Sequence, residues 1–270
     1  MSESGKGSFS VARQLEAEVL SNVHLGADFY RLTLKVPPFF QKAQPGQFIH
    51  IRIGRGFLPL LRRPFSISDL TPEGIEVLYK IKGKGTEILS RVKEGEFLDI
   101  MGPLGKGFFI EGREKIHVLV GGGTGVAPLV FLCRKILEKT KENSSILVFL
   151  GFKTVSEIVC EEKFKKEGIV LRVATDDGSR GYRGSVCELF AEYLKTIPEN
   201  TSLSLYACGP LEMLRGIAEL VSGSGFFSQV LIEEIICCGV GACGGCVIKG
   251  RKGYFRVCRD GPVFRLEDIF

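Results

Sequence analysis

Short runs that alternate between apolar or β-branched and polar positions fill the first hundred residues. Glycine, proline, asparagine and aspartate separate these runs, which fall at residues 15–23, 29–36, 47–53, 75–81 and 97–101. Between the last two runs, residues 86–92 have the spacing of a helix. Several short strands at such intervals predict a small antiparallel barrel over residues 10–112.

The pattern changes near residue 113. Predominantly apolar runs at residues 116–120, 146–150, 170–173 and 203–207 alternate with helical segments, the first of which extends to about Thr140. Alternation of strand and helix is typical of a parallel sheet with crossover helices. Residues 113–230 are therefore predicted to form an α/β domain of the nucleotide-binding type.

The two ends of the chain have little hydrophobic periodicity. Residues 1–9 are polar and are expected to be a flexible tail. Residues 231–270 have too little apolar periodicity to form a core alone, so a metal would have to organise them. The predicted fold class is an antiparallel β-barrel, then a parallel-sheet α/β domain, then a small C-terminal domain built around that metal.

Composition and charge exclude several classes of function. The 270 residues are 44% hydrophobic and 25% charged, an ordinary globular balance. The net charge is +5, with Lys and Arg interspersed among Glu and Asp, which is typical of solvated helix faces and not of a nucleic-acid surface. Glycines, a proline and charges interrupt the most apolar stretch, residues 116–137, so no membrane span is expected.

The cysteines indicate both a compartment and a cofactor. An odd number, nine, without a signal peptide indicates a reducing compartment, and the cytoplasm is the expected location. The order C-x4-C-x2-C…C, typical of plant-type [2Fe–2S] ligation, is formed by Cys238, Cys243, Cys246 and Cys258. Intervening glycines allow tight turns that aim backbone N–H groups at the sulfurs. A structural zinc site is one alternative, since C-x2-C pairs are common there, and thiols that bind no metal are another. Cys237 is interpreted as a bystander.

Three pieces of the predicted barrel favour a flavin. Arg63-Pro-Phe-Ser-Ile-Ser68 follows a predicted strand and offers an Arg for a phosphate, with an ordinary strand bearing an exposed Arg as the alternative. Gly83-Lys-Gly-Thr86 opens the predicted helix, where backbone N–H groups suit a pyrophosphate. Gly102-Pro-Leu-Gly-Lys-Gly-Phe108 is a predicted turn after the last strand. Together they predict a flavin-binding barrel.

Two loops of the α/β domain favour a dinucleotide. Residues 121–128 form a glycine-rich turn from strand to helix, and Cys208-Gly-Pro210 ends another predicted strand. Both fall at the carboxyl edge of the sheet, where ligands of such folds bind. A buried, small apolar role for Cys208 stays an alternative. Residues 176–179 and Lys153 fall at the same edge, but a solvated turn and a lone flexible cation explain them equally well.

The sequence contains no recognisable nucleophile or acid–base set. His24, His50 and His117 lack the spacing of metal ligands and are predicted to be structural or exposed. No catalytic side chain is predicted, because hydride transfer between nicotinamide and flavin depends on orientation and electrostatics.

These motifs resemble known families. Arg63-Pro-Phe-Ser66, residues 121–128 and Cys208-Gly-Pro210 resemble the ferredoxin–NADP reductase superfamily over residues 10–230. The cysteine run at 238–246, followed by Val257-Cys-Arg-Asp-Gly-Pro-Val-Phe264, resembles the electron-transfer subunits of NAD-dependent (type B) dihydroorotate dehydrogenase. The doubled cysteine at 237 and the short insert before Cys258 depart from the family pattern without removing a ligand.

The resemblance implies a set of cofactors and residues. Members carry FAD and one [2Fe–2S] cluster and pair with a catalytic subunit that holds FMN, as an assembly of two subunits of each kind. The residues implied for FAD are Arg63, Pro64, Phe65, Ser66, Ile81, Gly85 and Thr86. Those implied for NAD are Gly122, Gly123, Thr124, Gly125, Cys208, Gly209 and Pro210. The four cysteines of the C-x4-C-x2-C…C pattern would bind the cluster.

The expected activity follows from that family. The catalytic partner would oxidise dihydroorotate in pyrimidine biosynthesis, and electrons would pass through the cluster and FAD to NAD+. Since the chain has no evident site for a pyrimidine carboxylate, it is not expected to oxidise dihydroorotate alone. Two alternatives stay open. One is a flavin and iron–sulfur reductase subunit of another complex, such as a hydrogenase- or glutamate-synthase-associated diaphorase. The other is a zinc-stabilised, non-catalytic interaction module.

Overall fold

The computed structural model describes residues 12–54, 56, 59–110, 116–139, 144–198 and 201–270. The predicted tail at residues 1–9 and the predicted boundary between residues 112 and 113 lie outside these ranges. In the described part of the chain, no helix is long and apolar enough to cross a membrane.

Six antiparallel strands close into a barrel in the order β1-β2-β5-β4-β3-β6. Along the chain, a helix, α1 (Lys84–Leu89), lies between β5 and β6, and a short 3-10 turn spans Pro38–Lys42. Alternating side chains such as Leu32 and Leu34 fill the interior and are fully buried. The strands are β1 (Arg13–Gly26), β2 (Phe29–Lys35), β3 (Phe48–Ile51), β4 (Arg63–Leu70), β5 (Gly74–Lys80) and β6 (Phe97–Leu104).

The structure extends two strands of the barrel beyond the predicted runs. The Arg63–Ser68 motif forms most of β4, and the predicted turn at residues 102–108 is wrong in its first part, because β6 continues to Leu104. Proline lies in both segments and weakens a strand prediction. Pairing outweighs it here, because Pro64 lies opposite His50 in a ladder where Phe65 and Ile67 alternate into the core.

The α/β domain contains a seven-stranded sheet in the order β10-β9-β8-β7-β11-β12-β15. The described helices are α2 (Val126–Lys139), α3 (Glu161–Phe164), α4 (Val186–Leu194) and α5 (Leu211–Leu220). The strands are β7 (Ile116–Gly122), β8 (Ser145–Phe152), β9 (Ile169–Thr175), β10 (Tyr182–Arg183), β11 (Leu203–Cys208), β12 (Phe227–Leu231) and β15 (Val263–Arg265). All neighbouring pairs are parallel except the last, because β15 comes from the C-terminal end of the chain and pairs antiparallel with β12.

The cysteine-containing lobe is small and packs against both the barrel and the α/β domain. It includes the hairpin of β13 (Val247–Gly250) and β14 (Gly253–Arg256), with the short helices α6 (Val257–Asp260) and α7 (Leu266–Ile269). Cys246 and Cys258 share one buried cluster with Phe48 and Leu104 of the barrel. Together with β15, these contacts seat the lobe against the barrel and the sheet.

Helix α2 joins the barrel to the α/β domain. Its Phe131 is fully buried in the core of the barrel, although the helix belongs to the other domain. Arg134, one turn on, forms an ion pair with Asp69 of β4 at 2.7 Å. Lys80 of β5 pairs with Glu157 of the α/β domain, also at 2.7 Å. The relative position of the two domains is therefore held by apolar packing and by charges.

Candidate cofactor and cluster sites

A cleft lies where the barrel meets the α/β domain, and we call it the flavin cleft after the ligand predicted for its residues. Five residues predicted to bind FAD line it, namely Arg63, Pro64, Phe65, Ser66 and Thr86. Strand β4 places the first four, with Phe65 pointing into the barrel core while Arg63, Pro64 and Ser66 stay partly accessible. The cleft thus offers a cation, a hydroxyl and an apolar wall to one ligand.

The start of α1 lies at the Arg63 end of this cleft. The Thr86 hydroxyl accepts hydrogen bonds from the N–H groups of Lys82 (2.9 Å) and Gly83 (3.3 Å). Gly85 does not line the cleft, but a Cβ at this position would lie 3.2 Å from Nε of Arg63. The guanidinium and the helix start are therefore in close contact, as a shared pyrophosphate site requires. Ile81 is not among the residues that line the cleft.

A second cleft is continuous with the first, and we call it the dinucleotide cleft after the ligand predicted for its residues. Lys80, Lys82, Thr124 and Glu233 line both. Of the residues predicted to bind NAD, Gly122, Gly123, Thr124 and Pro210 line this second cleft.

The other predicted NAD residues act beneath the surface of the cleft. A Cβ at Gly125 would lie 2.1 Å from the carbonyl oxygen of Cys208, and one at Gly209 would lie 3.1 Å from the backbone nitrogen of Gly122. These glycines bring the two loops into contact. Cys208 is fully buried, and burial raises the pKa of its thiol well above the usual range.

Lys153 and Asp176 both line the dinucleotide cleft, one at the end of β8 and one at the end of β9. The Asp176 N–H donates to the carbonyl oxygen of Phe152 at 3.0 Å, which fixes the backbone of this loop beside the cleft. Asp177 is different, because its carboxylate accepts hydrogen bonds from the N–H (2.9 Å) and hydroxyl (2.6 Å) of Ser179. Those bonds hold the pKa of Asp177 below its usual value.

Backbone N–H groups point at the cysteine sulfurs of the lobe. Gly241 donates to Sγ of Cys258 at 3.1 Å, and Gly245 donates to Sγ of Cys243 at 3.3 Å. Gly241 has a φ of +80°, a conformation that a side chain would strain. Burial opposes ionisation of Cys238, but N–H groups of the following loop outweigh it and lower the pKa of this thiol to about 6. The loop therefore stabilises a thiolate, the form that binds iron.

The four thiols lie in two pairs. Cys238 contacts the thiol of Cys243, and Cys258 contacts that of Cys246. Two irons with two thiolate ligands each match such an arrangement. In the part of the chain that the structure describes, no three His, Cys, Asp or Glu side chains gather closely enough to hold one ion. Cys237 lies beside the pairs, since a Cβ at Gly245 would be 3.2 Å from its sulfur and 3.4 Å from that of Cys243.

Comparison with known proteins adds independent evidence. Residues 233–270 match the iron–sulfur cluster binding domain of dihydroorotate dehydrogenase B, and residues 119–219 match an oxidoreductase NAD-binding domain. The dihydroorotate dehydrogenase B (NAD(+)) electron transfer subunit of Caldanaerobacter subterraneus is 38% identical over 95% of this chain and 98% of its own length. That of Fusobacterium nucleatum is 37% identical over 94% of this chain and 97% of its own length.

This chain belongs to the family of dihydroorotate dehydrogenase B electron transfer subunits. A solved structure of an NADH-dependent reduced ferredoxin–NADP oxidoreductase is also similar, with a TM-score of 0.83 and 30% identity over 94% of this chain and 89% of that one. The predicted resemblance and fold class are confirmed, as is the cofactor set of FAD, a [2Fe–2S] cluster and NAD. The individual binding residues stay predictions.

Some cleft residues of this electron transfer subunit were not predicted. Tyr79 of β5 lines the flavin cleft and donates a hydrogen bond to Oδ1 of Asn22 at 3.0 Å, and burial raises its pKa. Four of the five residues at 232–236 also line it, including Glu233 and Glu234. These residues form neither helix nor strand, so no periodicity in the sequence marks them.

Proposed function

We propose that this chain takes electrons from a catalytic dihydroorotate dehydrogenase subunit at its cysteine lobe and delivers them to NAD+ in the dinucleotide cleft. The observation that carries this proposal is continuity. The dinucleotide cleft shares walls with the flavin cleft, and residues 232–236 lead from the flavin cleft to within two residues of Cys238. When bound, FAD exchanges single electrons with an iron–sulfur cluster and a hydride with NAD, so it fits the middle position.

The chain's own residues would bind and orient the groups. Arg63 and the N–H groups at the start of α1 would hold the flavin pyrophosphate, and Phe65 and Tyr79 would fix the wall against which the ring lies. The N–H groups of Gly123 and Thr124, before α2, would face the dinucleotide phosphates. Backbone N–H groups and four thiolates would hold the cluster in the lobe.

The partner is the finer part of the proposal. The family name implies a catalytic subunit. We infer that this subunit holds FMN and that two of each subunit assemble in the cytoplasm. No site for a pyrimidine carboxylate is evident among the residues that the structure describes, so dihydroorotate oxidation would depend on that partner.

Reconstitution tests the proposal directly. The purified chain, handled anaerobically, should contain about two irons per FAD. Alone, it should oxidise NADH with an artificial acceptor but should not reduce NAD+ with dihydroorotate. Adding the catalytic subunit should start dihydroorotate-dependent NADH formation. Activity of the chain alone with dihydroorotate, or a colourless sample that contains zinc and no flavin, would refute the proposal.

A second candidate is a reductase subunit of a different redox complex. The similarity to the NADH-dependent reduced ferredoxin–NADP oxidoreductase, at 30% identity and over most of both chains, favours it. The two candidates differ in the partner. If the chain co-purifies with a different oxidoreductase, and if the dihydroorotate dehydrogenase catalytic subunit neither binds it nor stimulates it, the second candidate is correct.

A further inference from the structure

His50 is a buried polar residue in an apolar contact between the barrel and the cysteine lobe. It lies in β3, opposite Met101 of β6, and its side chain is fully buried. Phe48, two residues earlier on the same face of the strand, and Leu104 belong to the buried cluster that also contains Cys246 and Cys258. A polar ring in such a place is costly unless it is hydrogen-bonded.

The ring forms a hydrogen bond with the segment that leads to the cysteines. Nε2 lies 3.0 Å from the carbonyl oxygen of Ile236. Since a carbonyl oxygen only accepts, Nε2 carries the proton and donates. Burial, reinforced by the nearby charge of Arg62, lowers the pKa of His50 to about 4. The imidazole is therefore neutral at physiological pH, and its one N–H is the group that donates to Ile236.

The other edge of the ring touches the same segment on the far side of Cys238. A Cβ at Gly239 would lie 2.9 Å from Nδ1 of His50. One imidazole therefore contacts the chain at Ile236 and at Gly239, immediately before and after the two cysteines at 237 and 238.

Ile232 and Ile236 bury their side chains in the core cluster, but the backbone of this segment makes few of the hydrogen bonds that regular structure would supply. Residues 232–236, all within the described part of the chain, form neither helix nor strand. Ile232 at its start donates to the carbonyl oxygen of Pro262 at 2.9 Å. Near its other end, the hydrogen bond from His50 ties the backbone to the barrel.

We propose that His50 is a positioning residue that fixes the peptide between the flavin cleft and the first cluster ligand, and so sets the separation and orientation of flavin and cluster. The inference rests on the proposed function, because it takes Cys238 as a ligand and the barrel cleft as the flavin site. Electron transfer falls steeply with separation, so a small shift of this peptide changes the rate without removing either group.

Two neutral, polar substitutions distinguish the effect of the hydrogen bond from the effect of filling the space that the His50 ring occupies. In His50→Gln, the amide nitrogen reaches about as far as Nε2 and can still donate to Ile236. In His50→Asn, the amide is too short to reach it. The matched control is His24→Asn, since Nε2 of His24 also lies 2.7 Å from a backbone carbonyl, that of Ala27, on an exposed part of the same barrel.

The measurements are made on the full chain purified with its cofactors. FAD and iron per chain report loading. Hydrogen exchange of amides at 235–239, read by mass spectrometry, reports the segment, and anaerobic rapid mixing with NADH reports the rate at which the cluster is reduced after the flavin. In His50→Asn we expect normal loading, exchange about tenfold faster from the lost hydrogen bond, and slower cluster reduction. His50→Gln and His24→Asn should match the wild type.

Either of two results would overturn the inference. One is His50→Asn with wild-type exchange and cluster reduction, and the other is His50→Gln as impaired as His50→Asn. If His50→Asn does not fold, Gly239→Ala displaces the segment from the other side, and it should give the same faster exchange. A wild-type chain without flavin or iron would refute the proposed function instead, and the exchange of the Gln and Asn variants would still decide whether His50 holds the segment.

Discussion

Gly125 lets the two loops of the dinucleotide cleft lie in contact, because it has no side chain. Any side chain there would press on the carbonyl group of Cys208, which lies on a buried strand end and cannot move aside. We expect Gly125→Ala to separate the two loops, to lower the free energy of unfolding by about 1–3 kcal/mol and to weaken NADH binding. Denaturant titration and NADH titration of the flavin-loaded chain measure these effects.

The control for this substitution is Gly56→Ala. Gly56 has open space around its Cα and is distant in sequence from either cleft loop, so an added methyl group should change neither stability nor NADH affinity. Wild-type NADH affinity in Gly125→Ala would show that the contact between the loops does not shape the site.

Asp176 is the residue on which preference for NAD over NADP should depend. Lys153 and Asp176 line the same cleft, and they would act oppositely on a 2′-phosphate. A carboxylate at the end of this strand can accept hydrogen bonds from a ribose hydroxyl and repels a phosphate. We expect Asp176→Ser to raise the ratio of kcat/KM for NADPH to that for NADH by about tenfold or more.

The neighbouring Asp177→Ser is the matched control. The Asp177 carboxylate is held within its own turn by Ser179, so its loss should leave the ratio unchanged. If both substitutions shift the ratio equally, net charge alone is responsible. If neither does, Asp176 does not contact the ribose.

The sequence predicts a binding role where residue type and spacing indicate it. It does not predict such a role for residues that reach a cleft only through the tertiary fold. Residue type and spacing predict phosphate binding at Arg63, Thr86 and Gly122–Thr124, and all of these residues line the clefts. Tyr79 and Glu233 carry no such signal, because a strand tyrosine or a loop glutamate is ordinary until a cleft forms around it. His50 was expected to be structural or exposed, and it is buried in contact with the cluster segment.

At the scale of elements, the hydrophobic pattern predicts the long strands, but short strands form only because they pair with a neighbour. The α/β alternation predicts β7, β8, β9 and β11 well, because each is a nearly continuous apolar run. Strand β15 has three residues and gains its structure from β12, a partner more than thirty positions away along the chain. No local pattern predicts such an edge strand.

The cysteine lobe should depend on its cluster for order. Its hairpin, β13–β14, has few buried apolar residues, whereas β15 is anchored in the sheet. We expect that removing iron with a chelator under reducing conditions will abolish amide protection in the hairpin and spare residues 263–265. Hydrogen exchange before and after chelation measures this, and an unchanged hairpin would show that protein contacts alone hold the lobe.

Two cysteines of the lobe, Cys243 and Cys237, should differ sharply on substitution. Cys243→Ala removes a member of a thiol pair and should reduce bound iron and the visible absorption of the cluster severely. Cys237→Ala removes a thiol that lies beside the pairs and should leave both unchanged. Iron loss in the Cys237 variant comparable with that of Cys243→Ala would make Cys237 a ligand and the C-x4-C-x2-C reading wrong.

At the scale of the whole molecule, α2 makes the barrel and the α/β domain interdependent. The helix starts at the dinucleotide loop, its Ala127 lines the flavin cleft, and its Phe131 fills the barrel core beside β4, the strand that carries Arg63. Damage at Phe131 should therefore loosen the flavin site from a position that does not line the cleft.

Phe131→Ala tests this coupling against Phe164→Ala. Both phenylalanines are fully buried, but Phe131 lies in the core of the barrel, whereas Phe164 lies in a cluster made mainly of α/β-domain residues. Each substitution should lower the free energy of unfolding by about 3–5 kcal/mol, measured by denaturant titration. Only Phe131→Ala should also speed the release of FAD in the absence of denaturant, measured by flavin fluorescence after dilution. If both variants release FAD at the same rate, a general loss of stability explains the release. The packing of α2 against the barrel would then have no specific role in flavin retention.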